Sequence, residues 1–372
     1  RRQPLEQIMK SIAAFKGQQN PVLVDPICPE PLSSNQVRCE TVLLGICGTD
    51  REILHSLTPG CPENDDFLVL GHECLARVVE IAHDVDGFNP GDLVVPAVRR
   101  PAGVDDSVIK RRVDMMPWGC YVERGIVGEH GFSLPTWNDQ PEFLFHVPEH
   151  IAEVAVLAEP ISVSEKAVRE AEQIQAARLG DIWEQRPPRV LITGLGPIAF
   201  AAVIACRSRN WPVTVYGRDP SDSFRASLVT EFDAEYLNQD DWNWDHADLD
   251  RDGFDLILEC TGSDQVAIKT ALALSSCGIM VWEGCSRTPE PANHNLSLIM
   301  RNAILRNHVF LGTVNNAPRD MQSGVDYLVA LDDKYGHVIR KMITNRVTPD
   351  DSLWHYQNRE PQGIKTVVTY NV

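Results

Sequence analysis

Basic charge is what this chain of 372 residues has little of: 34 Lys and Arg face 52 Asp and Glu, a formal net charge of −18. A nucleic-acid partner wants a basic face, so the balance argues against that class. No apolar run approaches the ~20 residues that cross a bilayer. The opening RRQPLEQIMKSIAAF has two arginines but neither an apolar core nor a small-residue cleavage site. Met9 followed by KSIAAF reads as a natural first strand, which makes residues 1–8 an extension or a misassigned start. There is no internal repeat, and the 25 prolines and 24 glycines are scattered, without a low-complexity linker. The ten cysteines form no CxxC pair, and Cys206 and Cys260 sit inside the apolar runs AAVIAC and FDLILEC. Such cysteines read as reduced, mostly buried thiols, which points to a reducing compartment, the cytoplasm.

The length favours two domains over one core. The first ~150 residues carry short β-like runs (SIAAF, QVRCETVLLGI, CLARVVEI, DLVVPAV) separated by turn signals such as Asn89-Pro90-Gly91-Asp92, which suits a barrel-like β domain. From Ile151 the spacing turns helical and ends near Gly180. From Pro188 onward apolar strands alternate with helices, the pattern of a parallel sheet covered on both faces. After Asn315 mixed elements return and end in the strand-like IKTVVTY. These patterns assign residues 168–305 to a nucleotide-binding domain, and 1–167 with 306–372 to one discontinuous catalytic domain.

ITGLGPIA follows the strand RVLIT and opens a helix. Gly194 allows the tight turn, Gly196 lets backbone approach a pyrophosphate, Pro197 and Ile198 begin the helix, and Ala199 lets it pack on the strand. The second strand ends in Tyr216-Gly217-Arg218-Asp219 rather than in a lone acid. Gly217 leaves room there, and the fork of Arg218 matches a 2′-phosphate. Asp219 either orients Arg218 or repels the phosphate. NADP is favoured, with NAD also usable. Elsewhere GICGTD, LGHE and LAEP supply Cys47, His72 and Glu159, a three-ligand zinc set with a fourth position open.

The phrases GICGTDREI, LVLGHE, GDLVVPAVRRP, YVERGIVGEHGF, LAEPISVSEKA, TGLGPIA, ECTG and GTVNN occur in order from about residue 45 to 316. Together they resemble the zinc-dependent medium-chain dehydrogenases, specifically the glucose dehydrogenases of archaea and related prokaryotes. The resemblance implies an α/β chain with a GroES-like β-rich catalytic domain and a Rossmann doubly wound parallel sheet. It implies oxidation of an aldose, D-glucose foremost, at C1 to the aldonolactone, with hydride passing to NADP or NAD. It makes Cys47 and His72 zinc ligands, Glu159 a ligand directly or through water, and Glu73 a carboxylate that exchanges at the metal. Thr49 falls where the family keeps a hydroxyl near the reacting oxygen, Glu123 where a carboxylate bonds sugar hydroxyls, and Asn315 where one residue meets cofactor and sugar. Gly217 and Arg218 match the adenosine-phosphate clamp, and Thr261, Gly262 and Val314 lie along the cofactor track. The family's assembly is a homodimer or homotetramer.

Departures from the pattern carry their own expectations. Residues 92–119 contain no cysteine, so one catalytic zinc is expected and no structural zinc. Arg51 replaces the relay histidine of alcohol dehydrogenases, so proton exit falls to His55, Asp50 or water. Val98 stands before the arginine pair where sugar-specific relatives have an asparagine. Glu123 itself either touches sugar or braces its loop by pairing with Arg99, Arg100 or Arg124. The competing functions are a polyol or alcohol dehydrogenase, and a non-catalytic NADP-binding relative.

Overall fold

The computed structural model describes residues 9–103, 112–242, 249–285 and 294–370; the extension expected at 1–8 lies outside them. The chain divides into two compact units, one made of residues 1–159 and 343–372, the other of 160–342.

In the first unit, alternation of apolar and polar residues builds strands with one buried side. Strand β1 (Val37–Gly45) buries Val37, Cys39 and Thr41 at period two, then stays buried through Leu43, Leu44 and Gly45. It pairs antiparallel with β2 (Glu73–Ile81), which pairs with β3 (Leu93–Pro96), and β3 with β4 (Leu144–His146). Thr136–Asp139 also runs antiparallel to β1. Trp137, Phe132, Tyr356 and Tyr370 fill the core. Two polar tips are answered, Trp137 Nε1 by Thr41 Oγ1 at 3.0 Å and the Tyr370 hydroxyl by Ser133 Oγ at 2.6 Å, while the Tyr356 hydroxyl has no hydrogen-bond partner among the described residues.

In the second unit, β5 (Val190–Thr193), β6 (Val213–Gly217), β7 (Glu235–Asn238), β8 (Phe254–Glu259), β9 (Leu274–Trp282) and β10 (Val309–Gly312) form one parallel sheet. The order is β7-β6-β5-β8-β9-β10. Counted within the sheet this is 3-2-1-4-5-6, the doubly wound arrangement, with its switch point between β5 and β8. The chain then returns to the first unit as β11 (Ile343–Val347) and β12 (Lys365–Thr369), and β12 pairs with β1.

The units part elsewhere than the sequence pattern suggests. Residues 306–342 stay with the parallel sheet, because β10 pairs with β9 and a helix at Pro318–Ala330 packs against the one at Pro197–Ser208. At the other end the division falls at Glu159, one residue into the helix Ala158–Leu179. Among the described residues no helix is long and apolar enough to cross a membrane.

Glycines set the approach to His72. Gly71 has φ +96°, and a Cβ at Gly131 would lie 2.4 Å from the Gly71 carbonyl oxygen and 2.5 Å from that of Leu70. The segment needs that closeness, since Phe132 N donates to Gly71 O at 2.9 Å and Ser133 N to Leu70 O at 3.1 Å. Both neighbours are backbone and cannot swing aside. Gly131→Ala should therefore cost roughly 1–3 kcal/mol of stability. A thermal melt equal to the parent's would show that these segments separate freely.

Candidate active site and metal centre

Three donors converge in the first unit. Cys47 precedes a helix at Gly48–Ser56 in extended conformation, and its backbone N–H donates to Asp50 Oδ2 at 2.8 Å. His72 and Glu73 lead into β2 and are buried. Ligand atoms of Cys47, His72 and Glu73 lie within 4.8 Å of one another. Gly45 opposes Glu73 in the β1–β2 register, and a Cβ there would fall 2.1 Å from Glu73 Oε2. The missing side chain is what lets that carboxylate lie across the strand.

The charges around these donors are dense. Asp50, fully buried, faces His72 Nδ1 with Oδ1 at 3.5 Å. Burial opposes protonation of His72, yet the neighbouring Cys47 and Asp50 raise it well above the ordinary imidazole range. Lys365, 1% exposed, extends from β12 and donates to both oxygens of Glu73, at 2.7 and 2.5 Å. Desolvation pulls its ammonium down, but Glu73 more than offsets this and the balance is upward. Of the four expected donors, Cys47, His72 and Glu73 come together among the described residues. Glu159 does not join the close group; burial raises its carboxyl to about 7, against the pull of His72. Glu73 does join it, anchored by a lysine that no motif marked.

Thr49 Oγ1 lies 3.7 Å from Cys47 Sγ. Asp50 is 0% exposed and is tied to Cys47 N, so it cannot be the group that hands a proton to solvent. Arg51 is held by the His355 carbonyl at 2.7 Å, and His55 Nδ1 meets the Arg51 carbonyl at 2.8 Å. Glu123 Oε1 accepts from Arg99 Nε at 2.9 Å and lies 2.9 Å from Arg99 Nη2, the bracing alternative named above.

In the second unit the turn after β5 has the form a dinucleotide needs. Gly194 has φ +97°, Gly196 caps the helix Pro197–Ser208, and Pro197, Ile198 and Ala199 form its first turn. A Cβ on Gly196 would meet nothing within 4 Å, so the space above the turn is open to a phosphate. Beyond β8, Glu259 gathers the next loop. Thr261 N donates to its Oε1 at 2.8 Å and Gly262 N to its Oε2 at 3.1 Å. Burial pushes nearby Glu283 up to about 7, although Ser164 donates to it at 2.7 Å. Lys166 Nζ donates to the Val314 carbonyl at 2.8 Å. Asn315 follows with φ 54°, and both of its amide atoms are buried with no hydrogen-bond partner among the described residues. Orphaned atoms of that kind await a ligand or lose free energy.

At the end of β6 the structure revises one reading. Gly217 was expected to leave room for cofactor, but a Cβ there would meet Leu195 Cδ1 and Tyr236 Oη at 2.9 Å. The glycine serves packing. Arg218 is exposed, and Asp219 is held by Arg225 through bonds of 2.8 and 3.0 Å.

Comparison with known proteins accords with both units. Residues 33–132 match the model of the alcohol dehydrogenase GroES-like domain, and residues 152–370 that of the glucose dehydrogenase C-terminus. The chain is 35% identical over 334 residues to glucose 1-dehydrogenase 1 of Vulcanisaeta moutnovskia, covering 90% of this chain and 91% of that one. The chain belongs to the glucose dehydrogenase branch of the zinc-dependent medium-chain dehydrogenases. Among solved members of this branch, Haloferax mediterranei glucose dehydrogenase in complex with NADP, Zn and gluconolactone superposes with a TM-score of 0.86 at 27% identity. The match covers 98% of this chain and 100% of that one. Galactitol-1-phosphate dehydrogenase from Escherichia coli, 17% identical with a TM-score of 0.78, shares the fold.

The buried Lys365–Glu73 pair yields a stability test. Breaking a buried pair by removing one partner costs about 3–5 kcal/mol, because the other charge is stranded. Lys365→Met should reach that range in chemical denaturation, and Glu73→Gln added to it should recover at least half. A double variant no more stable than Lys365→Met would mean that Lys365 matters for packing, not for charge.

Proposed function

We propose that this chain is a zinc-dependent glucose 1-dehydrogenase that uses NADP, and NAD as a second choice, to oxidise D-glucose at C1 to the lactone. The convergence of the Cys47, His72 and Glu73 donors carries the proposal. A sulfur, an imidazole and a carboxylate suit zinc, and an ion answers the negative charge gathered there. Cys47 and His72 would hold it, with Glu73 or Glu159 as the carboxylate, and the absence of cysteine from 92–119 supports one zinc per chain. Bound zinc supplies Lewis-acid polarisation of a hydroxyl oxygen, and bound NADP supplies the hydride acceptor.

The chain's own residues do the rest. Thr49 Oγ1 accepts the proton leaving the C1 hydroxyl while its own hydroxyl proton passes on toward solvent, and its place beside Cys47 supports that relay role. Asp50 positions His72 by its 3.5 Å approach. Glu123 and Asn315 orient the sugar, and the orphaned amide of Asn315 supports a partner there. Gly194, Gly196, Pro197, Ile198 and Ala199 receive the pyrophosphate, Arg218 the 2′-phosphate, and Thr261, Gly262 and Val314 flank the cofactor. One observation favours a second reading, a polyol or alcohol dehydrogenase: Glu123 already has a partner in Arg99.

The free state of all ten cysteines supports a cytoplasmic setting. A second copy of the chain is the expected partner, as homodimer or homotetramer. The helix Leu296–Arg306 buries none of its residues and exposes Leu296, Met300, Ile304 and Leu305.

Initial rates with aldoses, polyols and simple alcohols, each with NADP and NAD, test the function. Glucose with NADP should give the highest kcat/KM; a polyol or simple alcohol in first place would overturn the sugar assignment. Elemental analysis should find about one zinc per chain, falling with activity in Cys47→Ala; two metals, or none in active protein, would contradict it. Arg218→Ala should raise KM for NADP by about one to two decades while sparing NAD. Equal effects would remove Arg218 from the clamp.

A further inference from the structure

The acid at the end of the second strand of a doubly wound sheet ordinarily holds a ribose 2′-hydroxyl, and it repels a phosphate in the same place. Asp219 stands there, two residues after the last residue of β6, and is 8% exposed. Its backbone is fixed. The Tyr236 hydroxyl donates to Asp219 O at 2.6 Å, and Asn238 Nδ2 at 2.7 Å, both from β7 or its edge. Its carboxylate is fixed from the other side. Arg225, in the first turn of the helix Phe224–Glu231, donates Nε to Oδ2 at 2.8 Å and Nη2 to Oδ1 at 3.0 Å. That two-point fork is the strong form of a carboxylate contact.

We infer that Arg225 is a specificity-determining positioning residue, which neutralises and turns aside Asp219 so that the end of β6 accepts a 2′-phosphate. The inference rests on the proposed use of NADP. Arg218 then meets the phosphate, while Arg225 acts through Asp219 without having to touch the cofactor. The two arginines divide the work. One attracts the phosphate, and the other removes the group that would reject it. If the fork is opened, Asp219 regains its unit charge beside a dianion and becomes free to take the ribose hydroxyl of NAD.

The test is binding of NADPH and NADH, followed by nicotinamide fluorescence, for five proteins: the parent, Arg225→Gln, Arg225→Lys, Asp219→Asn and the double Arg225→Gln/Asp219→Asn. Arg225→Gln should weaken NADPH about tenfold, the scale of one newly exposed like charge in a half-solvated site, and leave NADH within about twofold. Arg225→Lys should fall between the parent and Arg225→Gln, since it keeps the charge and loses the fork. The double variant should recover NADPH to within about threefold of the parent, because the charge that repels is gone. Asp219→Asn alone should bind NADPH at least as tightly as the parent, and that comparison stands even if Arg225→Gln fails to fold. Equal losses for both cofactors, or no recovery in the double variant, would overturn the inference while leaving NADP use intact. A parent that binds NADH more tightly than NADPH would overturn the NADP reading itself, and this inference with it.

Discussion

The first unit is organised around negative charge held away from water. Cys47, Asp50, Glu73 and Glu159 all act on His72 or on one another, and Asp50 and Glu73 are almost wholly buried. An ionised carboxylate transferred alone into such surroundings would neutralise itself or unfold its support. The structure offers one answer in the ammonium of Lys365, and a zinc ion held by Cys47 and His72 would supply the other. That lysine is not local to the motif it serves; Lys365 reaches Glu73 across 292 residues of chain. The β1–β12 pairing is therefore also what delivers the counter-charge.

The second unit solves a different problem by shorter means. The carboxylate of Glu259, at the end of β8, is spent on backbone N–H groups of the loop two and three residues later. Gly262 has φ +68°, and a Cβ there would lie 2.7 Å from Cys285 backbone, so the two loops beyond β8 and β9 touch with no room for side chains. Rigid loops held by their own backbones suit a cofactor that must be presented in one pose.

What the sequence made legible was whatever is encoded within a dozen residues. GICGTD, LGHE and TGLGPIA each carry their own turn, cap and donor, and the structure brings Cys47, His72 and Glu73 together as their phrases suggest. The parallel sheet was readable from its short, mostly apolar runs, buried end to end in β5 and β8. Partnership was not readable. Residues 306–342 have an unremarkable pattern of strand and helices, and only the pairing of β10 with β9 assigns them to the second unit. Lys365 did leave a trace, a lone lysine at the head of the apolar strand KTVVT, whose burial demands an acid. At Asp219 the sequence left two roles open, orienting Arg218 or repelling phosphate. The structure supplies a third, because Arg225 sits in the first turn of the next element, where no strand-end rule looks.

Glu123 shows why a bracing contact and a functional one need not compete. Arg99 reaches it with both Nε and Nη2, and both fall on Oε1. The guanidinium itself is pinned over the Tyr121 ring at 3.6 Å, so it cannot follow a moving carboxylate. A carboxylate offers about four acceptor positions on its two oxygens. Arg99 uses those of one oxygen and leaves those of Oε2 for another donor. A carboxylate left loose would have to be ordered by the sugar at the expense of affinity, whereas one already oriented meets a hydroxyl with that entropy lost beforehand. A salt bridge that braces the loop is thus compatible with the sugar contact proposed for Glu123.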